Sequence, residues 1–195
     1  MVWTTSKSGD FSVKLLYSIS VLRDSHLFPC NSIWRVKAPS KVAFFAWEAS
    51  WGKILTLEQV QRRGYSMANM CFLCLSEVEM VDHLLLHCVK TRVLWNLVFS
   101  LFGVAWVLSC SMKETLFGWH GAFVGKTRKK AWQMAPLCIF WSVWKERSLL
   151  AFGNEELSFH RLKYSFVCNI WSWVRMSMVL SPSSLVSFLD WLGSK

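Results

Sequence analysis

Three cysteines and two histidines lie within one short stretch, residues 71–88, which reads CFLCLSEVEMVDHLLLHC. Cys71 and Cys74 have the C-x2-C spacing at which two thiolates of a tight turn can converge on one ion, and His83, His87 and Cys88 follow. Three or four thiolate and imidazole ligands in a tetrahedral arrangement select Zn²⁺ over hard cations such as Mg²⁺. The stretch therefore predicts a zinc site.

The identity of the fourth ligand depends on the conformation of residues 83–88. His83 and His87 are four residues apart and would lie on one face of a regular helix. Cys88 would point about 140° away from His83, so it could bind only if the helix were distorted or broken after His87. Helical geometry favours His87 and leaves Cys88 as the alternative.

Four available protein ligands predict a structural ion, because a catalytic zinc ion keeps one position for water. A structural zinc ion contributes about 10–16 kcal/mol of apparent binding free energy in small peptide modules. Since the net stability of a domain is only about 5–15 kcal/mol, one ion could hold this segment against its flanking helices. We expect one structural Zn²⁺ in the chain.

The remaining cysteines, Cys30, Cys110, Cys138 and Cys168, are scattered along the chain and are expected to be small core residues. The sequence begins MVWTTSKSGDF, without the apolar segment of a secretory signal. We therefore expect an intracellular protein, nuclear or cytoplasmic and not secreted. In such a compartment clustered thiols indicate metal binding rather than disulfides.

Basic residues outnumber acidic ones, with 22 Lys and Arg against 12 Asp and Glu and a net charge of +10. This excess favours polyanions as partners, because lysine and arginine neutralise phosphates whatever the base sequence. One basic cluster consists of Arg35, Lys37 and Lys41. The residues that we predict to bind nucleic acid are Lys126, Arg128, Lys129, Lys130, Arg62 and Arg63. The competing interpretation is a solvated basic face without a ligand.

The acidic residues form no recognisable catalytic pattern. Phosphodiester chemistry needs carboxylates that hold two Mg²⁺ ions a few ångströms apart, and the sequence contains no Tyr-x-Asp-Asp and no aspartate pair of the polymerase type. Glu77, Glu79 and Asp82 lie close to the cysteines, and we expect the carboxylates to be ordinary surface groups. The sequence predicts a protein that is not an enzyme, with no catalytic residue and no small-molecule substrate.

Residues 93–112, VLWNLVFSLFGVAWVLSCSM, carry no charge and are long enough to span a bilayer. Asn96 and the central Gly103 argue against a span, and the flanking Arg92 and Lys113 give no orientation signal. A buried helix that breaks near Gly103 explains the segment as well. We expect that a membrane is not a partner.

Start and stop signals predict a mainly α protein, an irregular helical domain with a small zinc-stabilised turn. The predicted helices are 12–22, 39–51, 56–64, 90–102, a short one from 111, 129–152, 158–180 and 182–193. Thr56 and Gln59 match a capping box, and Pro136 should kink or restart the long helix. GWHGAFVG, residues 118–125, is the predicted linker between 1–117, which holds the zinc site, and a C-terminal helical extension, 126–195.

Several segments resemble one known family in content and in order. The cysteine-rich stretch matches its pattern of C-x2-C, an acidic stretch and His-Leu-x3-Cys. The other segments are SKSGDFSVKLLY, IWRVKAPSKVAFFAWEASWGKILTLEQVQRRG, TRVLW and APLCIFWSVWKERS. Over residues 3–175 the chain resembles the reverse transcriptase zinc-binding domain at the C-terminus of plant LINE-type (non-LTR) retrotransposon polyproteins.

The resemblance implies both a ligand set and a role. It assigns the four zinc ligands to Cys71, Cys74, His83 and Cys88. His87 is then a neighbour of the site, and the module is expected to help a polymerase to hold its RNA template. Met80 stands where the family usually has Ser or Thr before the histidine-bearing helix, so Glu79 or Asp82 is expected to cap that helix instead.

These observations lead to two functional hypotheses from different classes. The first is a noncatalytic zinc-binding module that binds RNA or single-stranded nucleic acid and lacks the polymerase and endonuclease parts. The second is a protein-docking module whose apolar surfaces pack on a reverse transcriptase body. A degenerate retroelement fragment without activity is the remaining alternative.

Overall fold

The computed structural model describes residues 28–121, 124–126, 128–153, 158–177 and 183–193. These residues contain α-helices and no β-strand, so the predicted mainly α fold is confirmed. The helices are α1 (Cys30–Ile33), α2 (Ser40–Ser50), α3 (Leu57–Arg62), α4 (Val89–Phe102), α5 (Met112–Gly118), α6 (Lys129–Phe152), α7 (Phe159–Ser177) and α8 (Leu185–Gly193). A π turn (His83–His87) precedes α4, and a 3-10 turn (Trp119–Gly121) follows α5. The helix predicted at 12–22 lies outside the described residues.

One apolar core joins helices from both ends of the described chain. The longest helix, α6, packs against α2, α4, α7 and the π turn. Its side chains Leu137, Ile139 and Phe140 have no exposed surface, and the core extends from Phe28 to Leu192. Because the π turn contacts both α4 and α6, the candidate zinc segment lies directly on this core.

The helix α6 continues through Pro136, where the sequence predicts a kink or a restart. Proline has no backbone N–H, so it leaves the carbonyl four residues earlier, that of Trp132, without its helical donor. The indole Nε1 of Trp119 donates to that carbonyl at 2.8 Å, and Nε1 of Trp132 donates to the carbonyl of Trp119 at 3.1 Å. The Trp119 side chain thus supplies the hydrogen bond that Pro136 removes, and no restart occurs.

The predicted linker, 118–125, contains Trp119, whose side chain is buried. Its ring stacks on that of Trp132 with centroids 4.2 Å apart, and it meets the ring of Trp95 edge-on at 5.3 Å. These contacts place residues from 1–117, from the linker and from 126–195 in one core. Within the described residues, the predicted boundary therefore does not coincide with a gap between two cores.

The uncharged segment 93–112 contributes side chains to the core on both sides of Gly103. Trp95, Val98 and Phe102 of α4 are buried. Gly103 follows with φ of +63°, a left-handed conformation that glycine adopts without strain and that ends the helix where the sequence predicts a break. In the part of the chain that the structure describes, none of the helices combines the length and the apolar character needed to cross a membrane.

Candidate metal centre and basic surface

A compact loop at residues 71–80 brings two cysteines together. The N–H of Leu75 donates to the carbonyl of Cys71 at 2.9 Å, and the N–H of Cys71 donates to the carbonyl of Glu77 at 2.7 Å. Leu75 has φ of +54°, the left-handed conformation, which lets the chain reverse direction directly after Cys74. The loop is the tight turn that C-x2-C spacing favours.

The other two candidate ligands, His83 and Cys88, lie at the two ends of a π turn rather than on a regular helix. The N–H of Cys88 donates to the carbonyl of His83 at 2.6 Å, a bond across five residues instead of four. A regular helix would direct these two side chains about 140° apart. The wider turn brings the Cys88 sulfur to the same point as the His83 ring.

Side chains of α4 hold the backbone of the π turn in place. Thr91 Oγ1 donates to the carbonyl of Leu84 at 2.7 Å, and Trp95 Nε1 donates to the carbonyl of Leu85 at 3.0 Å. Leu84, Leu85 and Leu86 have no exposed surface. The core therefore fixes the conformation that aligns the histidine with the cysteine.

The candidate ligand atoms form a single group. The thiol and imidazole atoms of Cys71, Cys74, His83 and Cys88 all lie within 4.8 Å of one another, and Cys74 Sγ is 3.4 Å from His83 Nε2. In a tetrahedral site with Zn–S bonds of about 2.3 Å, neighbouring sulfurs lie about 3.8 Å apart. Three sulfurs and one imidazole with this spacing fit Zn²⁺ after small side-chain movements.

The thiols of Cys71 and Cys88, both fully buried, interact with each other. The hydrogen bond that the Cys71 thiol donates to Cys88 Sγ, together with burial, raises the pKa of the Cys71 thiol above its usual value. The same hydrogen bond lowers the pKa of the Cys88 thiol. Because zinc binds thiolates, a zinc ion held by this pair would displace the proton that Cys71 retains.

His87 lies outside this group although it precedes Cys88 directly. Its ring is exposed, and its Nε2 is 3.0 Å from the carbonyl oxygen of Cys110. The regular helix that favours His87 as a ligand does not form here. The structure therefore groups Cys88, and not His87, with Cys71 and Cys74.

Glu79 connects the loop at 71–80 to two helices. Its Oε1 accepts from Nη2 and Nε of Arg147 in α6 at 2.6 and 3.1 Å, and the two side chains are at most 4% exposed. The carboxylate also accepts from the N–H groups of Leu57 at 3.0 Å and Phe72 at 3.2 Å. The expectation of a surface carboxylate is wrong for Glu79, because a buried guanidinium and two backbone donors replace water.

Glu79 also takes the capping role that the sequence assigns to Thr56. The Thr56 hydroxyl precedes α3 but makes no capping hydrogen bond, and Oγ1 is buried without a hydrogen-bond partner. Neither Glu79 nor Asp82 caps the histidine-bearing turn, since Asp82 Oδ1 accepts from the N–H of Met112 at 2.7 Å. The expectation that one of these acids caps that turn is wrong.

The cysteines outside the group differ in environment. All seven cysteines of the chain are free thiols. Cys138 is buried and Cys168 is half-buried, but Cys30 and Cys110 are exposed. The expectation of core positions is therefore wrong for Cys30 and Cys110.

The six basic residues predicted to bind nucleic acid occupy different environments. Arg62 pairs with Glu58 at 2.7 Å. Arg128 Nη1 donates to the carbonyl of Leu192 at 2.6 Å, which ties the start of α6 to the end of α8. The other four, all exposed, are Arg63, Lys126, Lys129 and Lys130. Their role in nucleic-acid binding stays a prediction.

The structure brings together two basic clusters that are distant in sequence. Arg35 and Lys37, between α1 and α2, line a cleft of about 120 Å³ together with Lys130 and Gln133 of α6. An adjoining cleft of about 230 Å³ shares Arg35 and Gln133 and is also lined by His120. No carboxylate is among the described residues that line either cleft. This basic cleft, defined by Arg35, Lys37 and Lys130, has no local sequence signal.

Comparison with known proteins identifies relatives of the chain. Residues 11–95, which include the four candidate ligands, match the family described as zinc-binding in reverse transcriptase. An Arabidopsis thaliana protein named "Putative ribonuclease H protein" is 28% identical over 166 residues, which are 83% of this chain and 27% of that protein. The chain thus spans well under half of that relative. No solved structure matches the chain.

Proposed function

We propose that the chain, whose residues 11–95 match the family described as zinc-binding in reverse transcriptase, is a noncatalytic module that is stabilised by one structural Zn²⁺ and binds single-stranded nucleic acid. The observation that carries the metal part is the convergence of Cys71, Cys74, His83 and Cys88. We also propose that the module derives from a plant LINE-type element, which the Arabidopsis relative supports.

The proposed ion is structural because four protein donors fill its tetrahedral shell. When bound, Zn²⁺ supplies a crosslink and no open coordination position. Cys71 and Cys74 hold the loop, whereas His83 and Cys88 hold the two ends of the π turn. The crosslink thus joins an irregular loop to a turn that is already anchored in the core.

A noncatalytic role is supported by what the carboxylates do. Glu79 pairs with Arg147, and Glu146 pairs with Arg161 at 2.6 Å. Asp82 accepts from a backbone N–H. These groups neutralise side chains and satisfy backbone donors, whereas two-metal phosphodiester chemistry needs carboxylates free to hold Mg²⁺. In this proposal the activity in the relative's name resides in the part of that protein outside the aligned 27%.

The nucleic-acid part of the proposal rests on the basic cleft. Arg35, Lys37 and Lys130 approach one another from α6 and from the segment between α1 and α2. Three like charges at one cleft repel one another unless an anion lies between them, and a phosphate backbone supplies such anions at regular spacing. Binding of this kind weakens as salt rises because condensed counterions are released.

Replacing Arg35, Lys37 and Lys130 together by glutamine should weaken binding to single-stranded RNA. It should also lower the slope of log Kd against log salt by about 2, at about 0.7 for each lost phosphate contact. Fluorescence anisotropy of a labelled RNA strand, titrated with wild type and variant at several salt concentrations, measures both quantities.

A matched control removes the same charge from elsewhere. Lys53, Arg92 and Lys163 are exposed and lie outside the cleft. Replacing these three by glutamine should change the affinity and the slope less. Equal effects of the two triple variants would mean that only net charge matters, and a wild-type chain that binds no RNA would overturn the nucleic-acid part altogether.

A second candidate function is docking on a protein such as a reverse transcriptase body. It is favoured by exposed apolar side chains in and before the loop at residues 71–80, where Tyr65 is 66% exposed and Leu75 is 67% exposed. Met70 and Met80 are exposed as well. Exposed apolar surface of this kind often marks a protein interface. The absence of any salt-dependent RNA affinity in the titration above would favour this candidate, or a fragment without activity.

A further inference from the structure

One face of α2 and its C-terminal end expose large aromatic rings. Phe44 is 57% exposed, Trp47 is 40% exposed and Trp51, directly after the helix, is 41% exposed. Their spacing of three and four residues places them on one helical face. The opposite face, with Val42, Ala46 and others, is buried in the core. Packing against the described residues therefore leaves a large part of each of these rings exposed.

Cations border this row. The ring of Trp34, itself 41% exposed, meets that of Phe44 edge-on at 5.1 Å and extends the row toward Arg35 of the basic cleft. At the other end, Lys113 Nζ lies 4.9 Å from the centre of the Trp51 ring. The aromatic row thus runs from the basic cleft along α2 with positive charge at both ends.

We propose that three rings of this row, those of Trp34, Phe44 and Trp47, form a platform on which unpaired bases stack while the basic cleft holds the phosphates. The inference rests on the proposed function, since it names the part of the nucleic acid that the aromatic rings contact. Stacking on aromatic side chains beside a positively charged groove is how single strands are bound without sequence preference. A duplex hides its base faces, so the platform selects single strands.

The charge around the row favours a nucleic acid over an apolar protein surface. Arg35 and Lys37 follow Trp34 closely in sequence, and Lys113 lies against the ring of Trp51. An apolar partner would cover these cations without neutralising them. The spacing also fits. Phe44 and Trp47 lie about 4.5 Å apart along the helix axis, close to the spacing of about 3.4 Å between successive stacked bases.

The test compares two labelled strands of the same length and charge with the zinc-loaded full chain. One is an oligouridylate, and the other is an abasic strand that keeps every phosphate. The abasic strand should bind about tenfold more weakly or worse. Phe44→Ala and Trp47→Ala should each weaken oligouridylate binding about tenfold and leave abasic binding unchanged, because each removes one stacking ring.

Two further variants separate stacking from damage to the fold. Trp47→Phe keeps an aromatic ring and should retain most of the wild-type affinity. Phe152→Ala removes a ring that is 83% exposed on α6, outside the proposed platform, and should change nothing.

The outcomes distinguish the platform from the proposed function. If the wild type binds both strands equally and the Phe44 and Trp47 variants match it, the platform is wrong while phosphate binding stands. If it binds neither strand, both proposals fail and the aromatic face is open to a protein partner. A selective loss of oligouridylate binding in Phe44→Ala and Trp47→Ala, with rescue in Trp47→Phe, supports the platform.

Discussion

At the scale of single residues, His87 and Cys88 are neighbours in sequence but contact different parts of the molecule. The Cys88 sulfur belongs to the group of four candidate ligand atoms, whereas Nε2 of His87 lies 3.0 Å from the carbonyl oxygen of Cys110. We expect His87→Ala to retain about one zinc ion per chain and Cys88→Ser to lose most of it, because a structural site needs all four ligands. Elemental analysis of the purified proteins measures the zinc content.

Two other cysteines supply the controls for this prediction. Cys74→Ser removes a ligand and should behave like Cys88→Ser. Cys110→Ser changes an exposed cysteine outside the group and should behave like His87→Ala. A Cys88→Ser protein with full zinc content, together with a His87→Ala protein without zinc, would assign the fourth ligand to His87 instead.

The sequence alone shows which residue types could bind zinc, but not whether His87 or Cys88 is the fourth candidate ligand. The C-x2-C pair predicts its own turn, because two intervening residues suffice to close it. The choice between His87 and Cys88 depends on the turn that follows His83, and a run of leucines carries no local signal for a π turn. The resemblance to a family implies that Cys88 is the fourth ligand. The hydrogen bond from the Cys88 N–H to the His83 carbonyl gives a physical reason, because this π-turn bond brings the Cys88 sulfur near the His83 ring.

At the scale of elements, the buried ion pair between Glu79 and Arg147 links the loop at residues 71–80 to α6. Removing one partner of such a pair costs about 3–5 kcal/mol, since the remaining charge stays buried without compensation. We therefore expect Glu79→Gln to lower the free energy of unfolding by roughly that amount, measured by urea denaturation of the zinc-loaded protein. Because the Glu79 carboxylate also accepts from the N–H groups of Leu57 and Phe72, its replacement should loosen the loop at residues 71–80 before the rest of the molecule.

Glu58→Gln is the matched control, because Glu58 pairs with Arg62 on the surface of α3. Exposed pairs contribute about 0–1 kcal/mol, so this variant should be close to wild type. The double variant Glu79→Gln with Arg147→Met removes both buried charges and should regain part of the lost stability. Equal effects of Glu79→Gln and Glu58→Gln would contradict the role assigned to the buried pair.

Helix positions follow from local signals better than the contacts between helices do. Ser111 accepts from the N–H of Glu114 at 3.2 Å, as a capping residue should, and α5 begins directly after it. Pro136 is the counterexample, because its effect on α6 is offset by the Trp119 indole, a donor from another element. Glu79 and Arg147 are 68 residues apart, so no window of sequence reveals that one neutralises the other.

At the scale of the whole molecule, hydrogen bonds and ring contacts connect residues 71–88 to the centre of the core. Trp95 donates to the carbonyl of Leu85 in the π turn and meets the ring of Trp119, which stacks on Trp132 of α6. This path runs from residues 71–88 through the predicted linker into the C-terminal extension. The basic cleft likewise joins residues of α6 to residues near α2, which linear sequence keeps apart.

The same path predicts how the molecule responds to loss of the metal. A structural zinc ion contributes about 10–16 kcal/mol, which matches or exceeds the net stability of about 5–15 kcal/mol of a typical domain. Excess chelator should therefore do more than free the loop. It should release the π turn from Trp95 and abolish the near-ultraviolet circular dichroism of the packed tryptophans in a single transition, which added Zn²⁺ reverses.

Two cysteine variants serve as controls for this prediction. The Cys110→Ser protein should show the same transition, and the Cys74→Ser protein should lack the near-ultraviolet signal even before chelator is added. Tryptophan packing that survives chelation would show instead that the core folds by itself and that the metal orders only residues 71–88.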